Sequence, residues 1–334
     1  MLTNPFPSLG TPVSRLCYGT FGLKGVFGAF DRTEAIDTLH YCWGQGVNFL
    51  DTARHYGEAD EIVAEALRAW SGPRPFIATK AEHIGPVFAW GSPTIPITAC
   101  FPPGHITRQA EDSLRILGVD TLDVFQLHLY WPTWGIEGYW LDELEALKAS
   151  GKIRAIGVSL PDQRHDIALP LVLSGRIDSV QTILNIFDPT ALDCLASLCA
   201  KNKVAILARC VLDEGGLTGF LTPDTVFGDG DFRARYFDAG PRSEYIRRVE
   251  ALRAFIPQHA SSLAALALKF VLKDPNVTAA LTSMNIRRFA EENVRAALEP
   301  ALSDEAFDQL WRHHAWIRNF YRAKVMGATL AHSK

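Results

Sequence analysis

The sequence predicts an α/β fold in which eight parallel strands close into one barrel, and three observations carry that expectation. Short runs rich in Val, Ile, Leu and Phe alternate with longer stretches of helical period, the pattern of repeated strand–helix units. Eight such runs can be counted. With 334 residues, 48% of them hydrophobic, the chain has enough apolar side chains to bury a sheet on both faces.

In chain order the expected strands are residues 15–19, 48–51, 75–80, 122–128, 154–159, 179–184, 204–209 and 277–281. Helical patterns lie between them at 33–43, 60–70, 106–117, 141–149, 191–201 and 261–272, several opened by Thr, Ser or Asp where an N-cap belongs. Eight strands with intervening helices over this length favour a closed (β/α)8 TIM barrel over an open sheet. No linker, repeat or low-complexity segment divides the chain, so residues 1–334 are expected to form a single domain. Two stretches, 81–105 and 215–242, exceed ordinary loop lengths. Both follow strands, which puts long loops on the C-terminal, functional face of the barrel.

Composition narrows the function. Lys and Arg number 33 against 37 Asp and Glu, a net charge of −4 that offers no basic footprint for nucleic acid and no polybasic patch for a membrane. A small molecule is the expected partner, and the sequence sets no oligomeric state. The six cysteines are scattered without a CxxC pair, and the first ten residues lack the basic and apolar regions of a secretory signal. A cytoplasmic protein with reduced thiols is expected.

Each of three consecutive strands ends on an ionisable residue, Asp51, Lys80 and His128, and Tyr56 follows Asp51 in the next loop. These four can meet above the barrel mouth. A phenol is a poor acid near neutrality unless a nearby cation favours its ionised form. Lys80 is the expected cation, Asp51 its counter-ion, and His128 a donor to a carbonyl oxygen as negative charge develops there. None of the four can supply hydride.

The segments Gly46-Val-Asn-Phe-Leu-Asp-Thr-Ala-Arg-His-Tyr-Gly57, Phe76-Ile-Ala-Thr-Lys80 and Asp123-Val-Phe-Gln-Leu-His128 resemble those of the aldo-keto reductases. The resemblance continues through Gly151 to Ser159, Val180 to Asn185, Asp213 to Gly219 and Glu291-Glu-Asn293. It implies a (β/α)8 barrel that reduces an aldehyde or ketone, including a keto sugar, to an alcohol with an extended NADP(H), or NAD(H) as the alternative, and with Tyr56 as general acid. It places Ser159 and Gln181 near the nicotinamide carboxamide, Gly19, Thr20 and Phe21 near the reactive end, and Leu212, Gly215 and Leu217 along the cofactor. Glu292 and Asn293 fall near the adenine. Ser283, Arg287 and Arg288 fall where the family binds the 2′-phosphate, although Ser283 and Phe289 occupy its favoured lysine and arginine positions. Leu160 stands where the family has Asn, and Arg209 where it often has Tyr or Trp against the nicotinamide.

Other residues carry weaker expectations. Trp90, Trp131 and Trp134 follow strands and are candidates to wall a substrate pocket, with core packing as the alternative. His55, next to Tyr56, is expected to point away from the site, and the pair His313-His314 to lie on a terminal helix. Gly19-Thr-Phe-Gly22 with Gly25 lacks GxGxxG spacing, and no HExxH or other metal motif occurs. Two further functions fit the same residues: a dehydrogenase oxidising a sugar or polyol, and a cofactor-binding regulatory subunit with slow redox activity.

Overall fold

The computed structural model describes residues 1–84, 95–237 and 241–317. An antiparallel hairpin comes first, β1 (Thr3–Phe6) and β2 (Thr11–Ser14), paired from Thr3 opposite Ser14 to Phe6 opposite Thr11. Eight strands then close a parallel barrel: β3 (Leu16–Gly19), β4 (Phe49–Asp51), β5 (Phe76–Glu82), β6 (Leu122–His128), β7 (Ile153–Ser159), β8 (Ser179–Ile183), β9 (Ala205–Arg209) and β10 (Ala279–Ser283), the last pairing with β3. The (β/α)8 expectation is met, with all eight strands in the expected order. The largest offset is at β10, which begins and ends two residues later than the apolar run suggests. Its ladder with β3 runs Leu16 to Gly19 opposite Ala280 to Ser283, so pairing rather than hydrophobicity sets its limits.

Helices cover the barrel: α1 (Arg32–Gly44), α2 (Ala59–Ala69), a turn α3 (Ile97–Cys100), α4 (His105–Leu117), α5 (Tyr139–Ala149), α6 (Leu169–Ser174) and α7 (Ala191–Lys201). After β9 come α8 (Phe232–Phe237), α9 (Arg242–Ala251) and α10 (Leu263–Lys273), and after β10 α11 (Arg287–Leu298) and α12 (Asp304–His314). Asp31, Ser262 and Ser303 cap α1, α10 and α12, each side chain accepting from the backbone N–H three residues on. The stretches expected as long loops are partly structured, since β5 runs on to Glu82, α3 follows, and α8 falls within 215–242. His313 and His314 close α12, as expected.

Strand alternation sorts the side chains into two cores. Leu50, Ile77 and Phe125 face outward to the helices. Phe49, Ala78 and Val124 face inward, where Phe6, Leu9 and Val13 of the hairpin segment close the bottom of the barrel. The same inward parity, carried toward the carboxyl ends, reaches Asp51, Lys80, Gln126, His128, Ser159, Gln181 and Arg209. The barrel interior is therefore apolar at its base and polar at its mouth. Gly157 has a specific part in this: a Cβ there would lie 2.7 Å from Gln126 Cγ and 2.4 Å from Ser179 Oγ, so only glycine leaves the polar layer its room. No helix among the described residues is long and apolar enough to cross a membrane.

Candidate active site

β4 and β5 present Asp51 and Lys80 side by side on the inner face. The Lys80 Nζ donates to Asp51 Oδ2 at 2.5 Å and to the Thr52 carbonyl at 2.9 Å. The Tyr56 hydroxyl lies 3.5 Å from the same ammonium. Gln181 Nε2 and Gln126 Nε2 donate to the other carboxylate oxygen of Asp51 at 2.7 and 3.3 Å. Thr52 and Arg54 hold Asp60 on α2, at 2.7 and 2.9 Å, which ties the loop bearing Tyr56 to a helix. His128 ends β6, directly opposite Ser159 of β7 in the ladder.

Burial sets the protonation states. Burial alone would lower the pKa of the Lys80 ammonium, but Asp51 and Tyr56 outweigh it and hold the group above its ordinary value. Burial raises the Tyr56 phenol, with Lys80 pulling the other way and losing. The depression of the phenol expected from the sequence is thus not the net result before a ligand enters, and Tyr56 is protonated at neutral pH. Burial, with Lys80 and then His55 adding to it, keeps His128 well below the usual imidazole range, a neutral ring able to donate one N–H.

Asp51, Tyr56 and His128 line a cavity of about 800 Å³, with Lys80 buried behind them, and its walls also include Phe21, Arg288, Glu292 and Asn293. Gly19, Thr20, Gln181, Arg209, Leu212, Gly215 and Ser283 also line it. Ser159 Oγ, buried beside His128 in the ladder, has no hydrogen-bond partner, although Ser159 is not among the residues lining the cleft. At Gly19 a Cβ would press within 3.2 Å of the Thr282 carbonyl, so the wall there stays bare backbone. A cleft of this size with an orphaned hydroxyl beside His128 and an arginine in its wall fits a dinucleotide.

Several expected residues lie elsewhere. Leu217 is fully buried under its loop and does not line the cleft. Arg287 sits outside, bonded to Glu291 at 2.7 Å and stacked on Tyr41 at 3.8 Å, so of the two arginines only Arg288 reaches the cavity. Trp131 and Trp134 pack into the core, Trp134 against Phe101 and bonded to the Ile95 carbonyl at 2.9 Å, and neither lines the cleft. Trp90 lies outside the described residues. Arg209 pairs with Asp162 at 2.6 Å and donates to the Leu160 carbonyl at 2.9 Å. Asp213 is held by Tyr236 and Tyr245, and Glu214 by the Cys210 thiol.

Sequence reading passed over Asp162, Phe27, Phe232, Arg233, Tyr236 and Asn285, all in the cavity wall. Phe232 and Tyr236 are four apart on α8 and could have been found by helical spacing; Asp162 gave no local signal. His55 is the clearest correction. Rather than pointing away, it lines the cleft with its ring stacked on His128 at 4.6 Å and edge-on to Tyr56 at 4.6 Å. The turn after Ala53, closed by Tyr56 N to Ala53 O at 3.0 Å, swings it inward. Among the described residues no three His, Cys, Asp or Glu converge as metal ligands would.

A barrel whose mouth holds a Tyr–Lys–Asp chain beside a neutral His, open to a dinucleotide-sized cleft, defines an oxidoreductase of the carbonyl–alcohol class. The sequence pattern of the Aldo/keto reductase family matches residues 15–315, and the chain belongs to that family. It is 28% identical over 313 residues to the NADH-specific methylglyoxal reductase of Escherichia coli, covering 90% of this chain and 94% of that protein. It is 26% identical over 305 residues to the L-galactose dehydrogenase of Arabidopsis thaliana, covering 87% and 86%. Among solved structures, a glycerol dehydrogenase of Gluconobacter oxydans superposes with a TM-score of 0.76 at 28% identity, covering 93% of this chain and 95% of that one. The protein is an NAD(P)-dependent oxidoreductase of small carbonyl compounds, using NADP(H) or NAD(H).

Proposed function

We propose that Tyr56 is the acid–base residue of this reductase, and that it transfers its phenolic proton to the oxygen of an aldehyde or ketone. The observation that carries the reading is the chain from Tyr56 through Lys80 to Asp51, 3.5 and 2.5 Å, ending at the floor of the large cleft. A nicotinamide held in the cleft would supply the hydride that the carbonyl carbon takes up. Tyr56 then holds the negative charge left on its oxygen, and Lys80, fixed by Asp51 and the Thr52 carbonyl, stabilises it from below. Neutral His128 donates to the same substrate oxygen and orients it.

Ser159 and the free edge of Gln181 would hold the carboxamide, and Arg288 the 2′-phosphate, which favours NADP(H) over NAD(H). Residues 1–334 act as one domain in the cytoplasm. Proton transfer through Tyr56 is reversible, and dehydrogenases among the relatives favour an oxidative direction on a polyol or sugar as the second reading. Cofactor oxidation followed with a panel of aldehydes and ketones, and cofactor reduction with the matching alcohols, tests both. Turnover in neither direction overturns the assignment and leaves the regulatory-subunit reading.

A further inference from the structure

Three rings meet at the floor of the cleft, and the mechanism above uses only two. His55 stacks on His128 with 4.6 Å between centroids and 27° between planes, and its edge meets Tyr56 at 4.6 Å and 66°. Its Nδ1 is buried with no partner. That leaves Nε2 as the ring nitrogen open to the cavity His55 lines. Burial, with Lys80 adding to it, lowers the His55 pKa to about 3, so the ring carries a single N–H near neutrality. A buried N–H without an acceptor costs more than a buried lone pair without a donor, so the tautomer with hydrogen on Nε2 is favoured.

We infer that His55 is a specificity-determining residue whose Nε2–H donates to a second substrate oxygen on the carbon next to the carbonyl, selecting hydroxy- or oxo-substituted carbonyl compounds. This rests on the reading that Tyr56 and His128 hold the carbonyl oxygen. The two rings lie 4.6 Å apart between centroids, a separation on the scale of oxygens on neighbouring carbons rather than on distant ones. A substrate without the second oxygen strips water from that N–H and leaves it unpaired, which is how a polar site rejects a close analogue.

The test compares kcat/KM for two pairs that differ by one hydroxyl, lactaldehyde with propanal and hydroxyacetone with acetone, in the parent, His55→Phe and His55→Asn. Phenylalanine keeps a ring against His128 and Tyr56 but removes the donor; asparagine keeps a donor. The parent should prefer the hydroxylated member of each pair, His55→Phe should cut that preference roughly tenfold, and His55→Asn should restore part of it. A merely structural histidine would slow both members alike and leave the ratio unchanged. That result, or a parent without preference, overturns the inference. Tyr56→Phe assayed alongside separates the two levels: full activity there removes the underlying reading, whereas its loss with an unchanged His55→Phe ratio removes only the role of His55.

Discussion

Tyr56 is lifted by burial although a cation lies 3.5 Å from its oxygen, so in the free protein it is an acid kept protonated, with its cation waiting for the charge to appear. Tyr56→Phe should lower carbonyl reduction by about 10²–10⁴ while cofactor affinity measured by fluorescence titration stays within a few-fold. Full activity would exclude the role. Removing the Lys80 charge with Lys80→Met should lower the rate and move the basic limb of the pH–rate profile upward, since only the weaker pull of Arg209 then opposes burial at the phenol. An unmoved limb would contradict it. Glu214 offers a separate pH signature, because burial raises it from 4.5 to about 7. Its folded form binds a proton more tightly than the unfolded chain does, so stability falls as pH rises from 4.5 to about 7 and stays lowered above that. Glu214→Gln should be more stable than the parent at alkaline pH, by roughly 1–2 kcal/mol after discounting for water in the open cleft, and the gain should vanish near pH ~4. Urea unfolding at the two pH values reads it. At this scale Asp51, Lys80 and His128 were legible because strand ends in a barrel point at its mouth. The orientation of His55 and the Arg209–Asp162 pair were not, because the first depends on a turn and the second on β7 and β9 meeting β8 from opposite sides.

The barrel strands were legible at the level of elements because apolar runs bounded by polar ends need no tertiary information. The β1–β2 hairpin was not. Its strands are four residues each, and only Phe6, Val13 and Ser14 among them are buried, so neither alternation nor length stands out. Its partner is the barrel base, which local sequence cannot announce. Phe6 packs edge-on against Phe49 at 6.1 Å and is 1% exposed, within the inward cluster that includes Val124, Ala155 and Leu207. Phe6→Ala opens a cavity there and should cost about 3–5 kcal/mol in urea unfolding. Because the polar layer of Asp51, Lys80 and Gln126 lies at the opposite end of the barrel, the folded variant should keep its KM at low temperature. A loss below ~1 kcal/mol would show that the hairpin covers the base without being packed into it.

Across the whole molecule, the cleft draws walls from segments far apart in sequence, with Gly19 to Phe21 at the end of the first barrel strand and residues between Ser283 and Asn293 from the end of the last onward. β10 pairs with β3, which is what brings these distant segments together and makes one ligand a bridge across the point where the barrel closes. Cofactor binding should therefore stabilise the fold as a unit. At a concentration of about 100 times its dissociation constant a ligand adds about 2.7 kcal/mol, which for a chain of 334 residues corresponds to a rise of about 4 °C in Tm. The two nicotinamide cofactors should differ in this shift if the 2′-phosphate is recognised. Arg288 reaches the cavity from α11 with its guanidinium over Phe289, whereas Arg287 is engaged by Glu291 and Tyr41 outside it. At equal concentration NADPH should raise Tm more than NADH in the parent, and Arg288→Ala should bring the NADPH shift down to that of NADH. Arg287→Ala should leave the difference between the cofactors in place, since its side chain contributes to the α1–α11 surface rather than to the cleft. Equal shifts for NADPH and NADH in the parent would show that the 2′-phosphate is not recognised and would take from Arg288 the role given to it here.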